Sequence, residues 1–409
     1  MKTKSLTFLL ALTFLFLFSG SSVVFGDDFQ DGEGAAKRGD YKTAYNLFLP
    51  LAKQGNALAQ YHLGGMYDQV VGLPQDYKEA VKWYRLSAKQ GYALAQHNLG
   101  SMYYEGKGIP QDYKEAIKWH LLSAKQGIGR AQHALGVMYQ KGLGVNQDFR
   151  QAIKWYLLAA EQGIADSQSN LGGMYDQGMG VPQDYKEAVK WYRLAAEQGL
   201  DQAQFNLGAM YYDGLGVLKD NVSAYMWFTL SGFHQYLNVL EKHMNPQQIE
   251  KAQEMARQWY RLAAKQGNAD AQFNLGLMYQ KGHGVPQDYK EAVKWYRLAA
   301  EQRVDQAQFN LGTLYISGNG VLQNPKEAVK WFRLAAEHGL AQAQYNFGLA
   351  YQKGHGVPQD YKEAVKWYRL AAEQGFAYAQ FSLGIIYAKG LGVPQDYVSA
   401  HMWFNLSGS

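Results

Sequence analysis

Tryptophan returns along this chain at a fixed interval. It occurs at positions 83, 119, 155, 191, 227, 259, 295, 331, 367 and 403, and every interval is 36 residues except the 32 between 227 and 259. A Leu-Gly pair follows the same period and places glycine at positions 64, 100, 136, 172, 208, 276, 312 and 384, with Phe347-Gly348 as a variant. A fixed period of this length is the signature of tandem structural repeats that stack into an elongated array.

The residues of one period, 271–302, predict a first helix that ends in a tight loop. Ala271, Leu275 and Met278 recur at the spacing that places apolar side chains on one face of an α-helix. Gly282 stands where this helix is expected to end, because glycine adopts the left-handed conformation without a steric penalty. The Gly-Val-Pro sequence that follows predicts the turn.

A second helix follows this turn. Asp288, with Glu291 three residues later, predicts a capping box at its N-terminus. Its inner stripe contains Ala292, Trp295, Tyr296 and Ala299. A hairpin of this size cannot bury the apolar faces of both helices by itself, so we expect its copies to stack on one another. The predicted fold is therefore an all-α solenoid (superhelix) of tandem helix-turn-helix repeats of 36 residues.

Departures from the period divide the chain into segments. Residues 41–44 align with residues 77–80, but no Leu-Gly pair precedes them, as expected of a capping half-repeat. In the irregular stretch 228–258, Asn245-Pro246 followed by Gln248 predicts the start of a long helix that continues to about Lys265. We predict a signal peptide at 1–26, an N-terminal capping half-repeat at 27–56, a first repeat array at 57–231, a degenerate linking unit at 232–267 and a second repeat array at 268–409.

Three local features carry structural expectations. Val70 stands where the other first helices end in glycine, so we expect a distorted loop there. Arg303 replaces the glycine that ends the other second helices, and we expect it to strain or remodel that junction. The glycine of each Leu-Gly pair lies within a helix, where it costs about 1 kcal/mol relative to alanine. We therefore expect a neighbouring backbone or ring to pack against each of these glycines.

Residues 1–26 have the pattern of a secretory signal. Lys2 and Lys4 begin it, an apolar run follows over residues 6–18, and residues 24–26 resemble a cleavage site. The apolar run is short for a membrane span, which needs about 20 residues. We expect a mature chain that begins near Asp27, has no integral membrane span, and is exported to the periplasm or the extracellular space of a bacterium. An uncleaved membrane anchor is the alternative.

The charge and the cysteine content exclude several classes of protein. The formal net charge is +5 for the whole chain and falls to +3 without Lys2 and Lys4, which is too mild to indicate a nucleic-acid partner. Basic residues such as Lys290 and Lys294 recur at helical spacing, with Glu291 placed to pair with Lys294, so we interpret them as a solvated outer face. The chain has no cysteine, which excludes disulfides, thiolate catalysis and cysteine-based zinc sites.

Residues 271–302 resemble the Sel1-like repeat, a relative of the tetratricopeptide repeat. Leu275-Gly276 followed by Tyr279 matches the first helix of the tetratricopeptide pattern, and Ala292 followed by Tyr296 matches its second helix. The resemblance covers residues 28–409. It implies a role as an adaptor or scaffold in secretion, envelope assembly, signalling or host contact. One branch of the family with disulfide-stapled repeats has been described as binding or hydrolysing β-lactams, and the lack of cysteine here argues against carrying that activity over.

No catalytic or metal-binding motif occurs in the sequence. The chain has no GxSxG, HExxH, Walker or acidic calcium-loop motif, and the GxG of each loop lacks the third glycine of a phosphate-binding loop. We therefore predict no catalytic residue and no cofactor. His97 and His133 occupy aromatic slots one repeat apart, where they are expected to approach within about 10 Å. Because no third ligand is evident, we predict no metal site.

Asparagine recurs immediately before the Leu-Gly pair in six repeats, at Asn98, Asn170, Asn206, Asn274, Asn310 and Asn346. In tetratricopeptide superhelices the matching position faces the concave groove, where asparagine holds an extended peptide by its backbone amides. The side-chain amide both donates and accepts, which suits recognition of a peptide backbone. The alternative is that these residues bond to neighbouring helices or to water. We take this asparagine column as the candidate binding site.

We interpret the chain as an exported, non-catalytic scaffold that binds a protein or an extended peptide in the concave groove. One alternative is a cell-envelope enzyme or sensor that acts on peptidoglycan fragments or β-lactams. Another is a structural element that self-associates through its C-terminal helix, because residues 399–408 nearly repeat residues 223–232 and leave an apolar face uncovered.

Overall fold

The computed structural model describes residues 28–69, 74–282 and 285–408. Within these ranges the chain forms 22 α-helices, one short 3-10 helix and no β-strand. The predicted signal segment at 1–26 and the loop at Val70 lie outside the described residues. None of the helices in the described part of the chain combines the length and the apolarity that crossing a membrane requires.

The helices divide between two compact units, Met1–Lys219 and Asp220–Ser409. The helices of the first unit are α1 (residues 28–37), α2 (Tyr41–Lys53), α3 (Ala57–Asp68), α4 (Tyr77–Lys89), α5 (Ala93–Glu105), α6 (Tyr113–Lys125), α7 (Gly129–Lys141), α8 (Phe149–Glu161), α9 (Ala165–Gln177), α10 (Tyr185–Glu197) and α11 (Asp201–Asp213). The helices of the second unit are α12 (Asn221–Leu230), α13 (Leu237–Glu241), α14 (Pro246–Lys265), α15 (Ala269–Lys281), α16 (Tyr289–Glu301), α17 (Asp305–Ser317), α18 (Pro325–Glu337), α19 (Ala341–Lys353), α20 (Tyr361–Glu373), α21 (Ala377–Lys389) and α22 (Tyr397–Ser407). The segment boundaries predicted from the sequence stay predictions.

Local chemistry explains where the helices begin and end. Gly282 closes α15 in the left-handed conformation, with φ 71°, as predicted. Asp288 caps α16 by accepting the backbone N–H groups of Lys290 (2.8 Å) and Glu291 (3.2 Å). The reciprocal half of the predicted capping box is wrong, because the Asp288 N–H donates to the Tyr279 carbonyl instead. Glu291 pairs with Lys294, as predicted.

The glycine of the Leu-Gly pair lies against a ring of the following second helix. A Cβ atom on these glycines would come within 3.0 Å of that ring; the pairs include Gly64–Tyr84, Gly100–His120, Gly136–Tyr156, Gly172–Tyr192, Gly276–Tyr296, Gly312–Phe332, Gly348–Tyr368 and Gly384–Phe404. The predicted close packing is confirmed at these positions. The absence of a side chain lets the aromatic ring approach the first-helix backbone closely, and this packing offsets the low helix propensity of glycine.

Stacked hairpins form the core of each unit. The central leucine of the first helices is fully buried, as in Leu99, Leu171 and Leu311. The tryptophans lie between the layers as expected: Trp83, Trp191, Trp227 and Trp295 are buried and the other six are half-buried. Successive helices pack against each other from α2 to α11 in the first unit and from α14 to α22 in the second unit. The all-α solenoid prediction is confirmed.

The irregular positions behave as their local chemistry predicts. Asn245 and Gln248 form a reciprocal capping box at the start of α14, which runs to Lys265 as predicted. A 3-10 turn at His234–Tyr236 and the five-residue helix α13 stand where a regular first helix would lie. Arg303 adopts φ 69° and is the one residue other than glycine with a positive φ in the described ranges. This left-handed conformation is the predicted strain.

Candidate functional site

The structure places all six predicted asparagines on first helices, one position before the buried leucine or phenylalanine. Asn98 lies on α5, and Asn170, Asn206, Asn274, Asn310 and Asn346 lie on α9, α11, α15, α17 and α19. Every one of them is half-buried. We call the surface formed by these asparagines and the residues beside them the first-helix face, and describe it within each unit.

Four asparagines lie beside a tyrosine hydroxyl from the preceding second helix. The pairs are Asn98–Tyr84, Asn170–Tyr156, Asn206–Tyr192 and Asn310–Tyr296. Burial raises the pKa of each of these tyrosines, and the hydrogen bond with the asparagine opposes that shift. The hydroxyls therefore stay protonated at neutral pH and act as fixed hydrogen-bonding groups beneath the asparagine amides.

The same hydroxyls bond to the first helix of their own repeat. Tyr156 donates to Gln140 at 2.6 Å, and Tyr296 donates to Gln280 at 2.5 Å. A tyrosine is thus held between the first helices of two successive repeats, and this orients the amide that lies beside its hydroxyl. The sequence had left bonding to neighbouring helices as the alternative role of the asparagines, and at these four positions the asparagine lies beside a tyrosine of the preceding second helix.

Asn206 and Asn310 have a further partner within their own helices. Gln202 donates to the Asn206 side-chain oxygen at 3.0 Å, and Gln306 donates to the Asn310 oxygen at 3.2 Å. An amide has one acceptor oxygen with two lone pairs and two N–H donors. Each therefore retains hydrogen-bonding capacity beyond these contacts. The assignment of the six asparagines as a binding column stays a prediction.

Aromatic rings stand directly before several of the asparagines. Phe273 packs on Tyr296 with ring centroids 5.8 Å apart, and Tyr345 packs on Tyr368 at 5.5 Å. These first-helix rings are half-buried, so one face of each ring rests on the core and the rest stays accessible. Amides and partly exposed rings thus alternate along the first-helix face, a combination that suits a polypeptide ligand.

Sequence reasoning missed a second polar column, made of glutamine. Gln60, Gln96, Gln132, Gln168, Gln204, Gln272, Gln308, Gln344 and Gln380 are buried, and each donates to the carbonyl oxygen eight residues earlier at 2.9–3.3 Å. Six of them also accept from a glutamine thirty residues later, as Gln168 does from Gln198 at 2.7 Å. The signal was available in the sequence, because these glutamines keep the repeat period.

The glutamine column is broken at Gln204 and at Gln308, whose side-chain oxygens are buried without a hydrogen-bond partner in the described structure. His338 stands where the partner glutamine of Gln308 is expected, and it bonds to Asp305 at 2.6 Å. The column joins the end of one hairpin to the next, so we assign it to the stability of the stack rather than to binding.

The histidines do not form a metal centre within the described residues. His97 packs against His120 with ring centroids 5.2 Å apart, and His133 bonds to the Ser167 hydroxyl at 2.8 Å. Burial lowers the pKa of His97 to about 4 and that of His120 to about 3. In the described ranges no group of three His, Cys, Asp or Glu side chains is placed to hold a metal ion.

Comparison with known proteins extends the structural result. The Sel1 repeat family model matches residues 29–56, 57–92, 93–128, 129–164, 165–200, 201–232, 243–268, 269–304, 305–340, 341–376 and 377–409. A comparison with curated proteins finds no match.

Two similar solved structures carry the same type of repeat. A protective antigen present in uropathogenic Escherichia coli strains, displaying an SLR fold, is 37% identical, with a TM-score of 0.51 over 95% of this chain and 85% of that chain. A Sel1 repeat protein from Oxalobacter formigenes is 31% identical, with a TM-score of 0.43 over 83% of this chain and 89% of that chain.

Proposed function

Because the chain belongs to the Sel1 repeat family, we propose that it is an exported, non-catalytic scaffold that binds a protein or an extended peptide on its first-helix face. Sel1 repeats serve in general as protein-interaction modules. The observation that carries the proposal is the recurrence of half-buried asparagines at the same position of the first helices. Asn170 and Asn206 are one repeat apart in the first unit, and Asn274, Asn310 and Asn346 follow at one-repeat intervals in the second unit.

The chemistry of this face favours a polypeptide over other ligands. An amide supplies a donor and an acceptor at each step, which matches the alternating N–H and C=O groups of an extended backbone. The partly exposed rings beside the amides provide apolar contact area for side chains. The tyrosine hydroxyls hold several of the amides in place, which lowers the entropy lost on binding.

Export is the second element of the proposal. It rests on residues 1–26, in which two lysines precede an apolar run without acidic residues. A chain without cysteine has no thiols to be oxidised outside the cytoplasm. We place the protein in the periplasm or the extracellular space of a bacterium.

Replacing Asn206, Asn274 and Asn310 together with alanine is the test of the asparagine column. Each lost hydrogen bond contributes about 0.5–1.5 kcal/mol, so we expect partner capture from the native envelope to weaken by at least about tenfold. Melting should change little, because Tyr192 and Tyr296 keep their bonds to the first helices of their own repeats. Asn319→Ala, on an exposed loop, is the matched control. Unchanged capture by the triple variant contradicts the proposal.

Self-association is a second candidate, and an exposed apolar surface on α22 favours it. Tyr397 is 69% exposed, Val398 81% and Leu406 45%. Apolar groups clustered on one helix favour contact with another apolar surface. By light scattering we expect the wild-type chain to be larger than a monomer and the Val398→Glu, Leu406→Glu variant to be monomeric. Leu322→Glu, at an exposed loop leucine, should leave the size unchanged. A monomeric wild-type chain contradicts this candidate.

A further inference from the structure

A half-open cavity of about 290 Å³ lies between the first helices α17 and α19, with the second helix α18 at its base. We propose that this cavity is a binding site for a small molecule that combines one apolar ring or branched chain with one anionic group. The site belongs to a single repeat interface within the second unit. It does not depend on the asparagine column acting as a whole.

The cavity arises because this repeat lacks a side chain that its counterparts have. Ala350 occupies a position that is filled in other first helices by Met66, Met102, Met138, Met174, Met210, Met278, Leu314 and Ile386. Replacing a buried side chain of that size with alanine removes several heavy atoms from a packed layer. Phe347, which replaces the usual leucine, packs on Tyr351 and Trp367 with ring centroids 5.0 Å apart in both cases. Its ring does not line the cavity and so does not fill the space beside Ala350.

Two further substitutions make the base and one wall of the cavity apolar. Phe332 stands where Tyr84, Tyr156, Tyr192, Tyr296 and Tyr368 stand in other repeats. Ile316 stands where the partners of those hydroxyls are found, such as Gln140 and Gln280. The buried hydroxyl and its acceptor are thus absent together, and the lining gains apolar surface that a ligand ring can cover.

Apart from the Thr313 hydroxyl, which donates to the Phe309 carbonyl at 3.0 Å, the polar side chains of the cavity lie on or directly after α19. Asn346 faces Phe332 rather than a tyrosine, and its side chain makes no hydrogen bond within the described residues. Lys353 and His355 line the same cavity and are exposed. The lining therefore offers one ammonium group, one imidazole and one free amide, and it contains no carboxylate.

This combination determines the ligand class. A cavity of about 290 Å³ is at the small end of ligand pockets and suits a single ring or branched chain rather than a larger molecule. The charge at the cavity favours an anion over a cation, since the lysine has no acidic neighbour in the lining. An apolar body against Phe332 and Ile316 leaves an anionic group near Lys353 and the Asn346 amide.

Titration of the full-length chain with three matched probes tests the inference. Phenylacetate carries the ring and a negative charge, benzylamine carries the ring and a positive charge, and toluene is neutral. By saturation-transfer NMR we expect phenylacetate to bind at least about tenfold more tightly than benzylamine, with toluene between them. Equal binding of phenylacetate and benzylamine overturns the charge assignment, and no binding of phenylacetate overturns the site.

Two variants locate the binding. Ala350→Met restores the side chain found in other repeats and should abolish binding of phenylacetate and toluene; Ala350→Leu is the second filling variant in case methionine disturbs Phe347. Lys353→Glu lies on the surface and should weaken phenylacetate at least about tenfold while toluene binding stays the same. Unchanged phenylacetate binding by a folded filling variant overturns the site. The Asn206, Asn274, Asn310 triple variant should keep phenylacetate binding, which separates this inference from the proposed peptide-binding function.

Discussion

Gly144→Ala is expected to destabilise the first unit by about 2–5 kcal/mol. Gly144 has φ +74°, and a Cβ atom there would lie 2.5 Å from both the carbonyl carbon and the oxygen of Tyr113. The left-handed conformation costs a residue with a side chain about 1–2 kcal/mol, and overpacking adds about 1–3 kcal/mol. The obstacle is the backbone at the start of α6, which Asp112 holds by accepting from Lys114 and Glu115. A lower urea-denaturation midpoint, followed by circular dichroism, measures the effect.

Gly127→Ala is the control for backbone conformation alone. Gly127 has φ +87°, yet no atom lies within 4 Å of the position that its Cβ would occupy. The Gly127→Ala variant should therefore lose only the stability that the left-handed conformation costs a residue with a side chain, about 1–2 kcal/mol. Arg303 shows that a residue with a side chain is accepted at the equivalent position of another repeat. Equal losses of stability for Gly144→Ala and Gly127→Ala contradict a rigid contact between Gly144 and the backbone of Tyr113 in the preceding repeat.

Gly172→Leu is expected to destabilise the first unit by a similar amount, about 3 kcal/mol or more, for a different reason. Gly172 lies within α9, and a Cβ atom there would be 2.5 Å from Cδ1 of the Tyr192 ring. Tyr192 is 3% exposed and bonds to Asp176, so the ring has no free space to enter. Leucine favours a helix by about 1 kcal/mol over glycine, but the overlap of a whole side chain outweighs that gain. The denaturation midpoint again reports the change.

The neighbouring glycine supplies the matched control. At Gly173 the nearest atom to a new Cβ is the Tyr192 hydroxyl oxygen at 3.6 Å, an ordinary van der Waals distance. Gly173→Ala in the same helix should therefore stabilise the chain by about 0.5–1 kcal/mol. In a double-mutant cycle, the Gly172→Ala, Tyr192→Leu double variant should lose less stability than the two single variants lose together. The reason is that the tyrosine ring, which the new Cβ atom would overlap, is no longer present. Additive losses contradict the proposed contact.

Much of the fold followed from periodicity and cap chemistry. The 36-residue interval between tryptophans predicted stacked hairpins, because one hairpin leaves apolar faces that only a copy of itself can cover. Asn245, Pro246 and Gln248 predicted the start of α14 correctly, since the capping groups lie within four residues of one another. The capping box at Asp288 was half wrong because the competing acceptor, the Tyr279 carbonyl, lies on the preceding helix.

The site was predictable only in part. The position of the asparagines on the first helices follows from the repeat register, whereas their neighbours do not. Tyr84 reaches Asn98 from the previous hairpin, and Gln198 reaches Gln168 from the end of the second helix of the same repeat. These contacts depend on the distance and rotation between helices. The cavity beside Ala350 likewise needed the positions of Ile316 and Phe332 in space.

The sequence by itself determined the repeat unit, its helices and most of their ends, because these depend on interactions between residues close along the chain. It also determined which faces are apolar and which columns of residues recur. Only the tertiary structure decided what each column contacts. The glycines of the Leu-Gly pairs contact aromatic rings, asparagines such as Asn98 lie beside tyrosine hydroxyls, and Ala350 lines a cavity. The physical reason is that packing between hairpins depends on how the shapes of two surfaces fit together. The order of residues along the chain does not give those shapes directly.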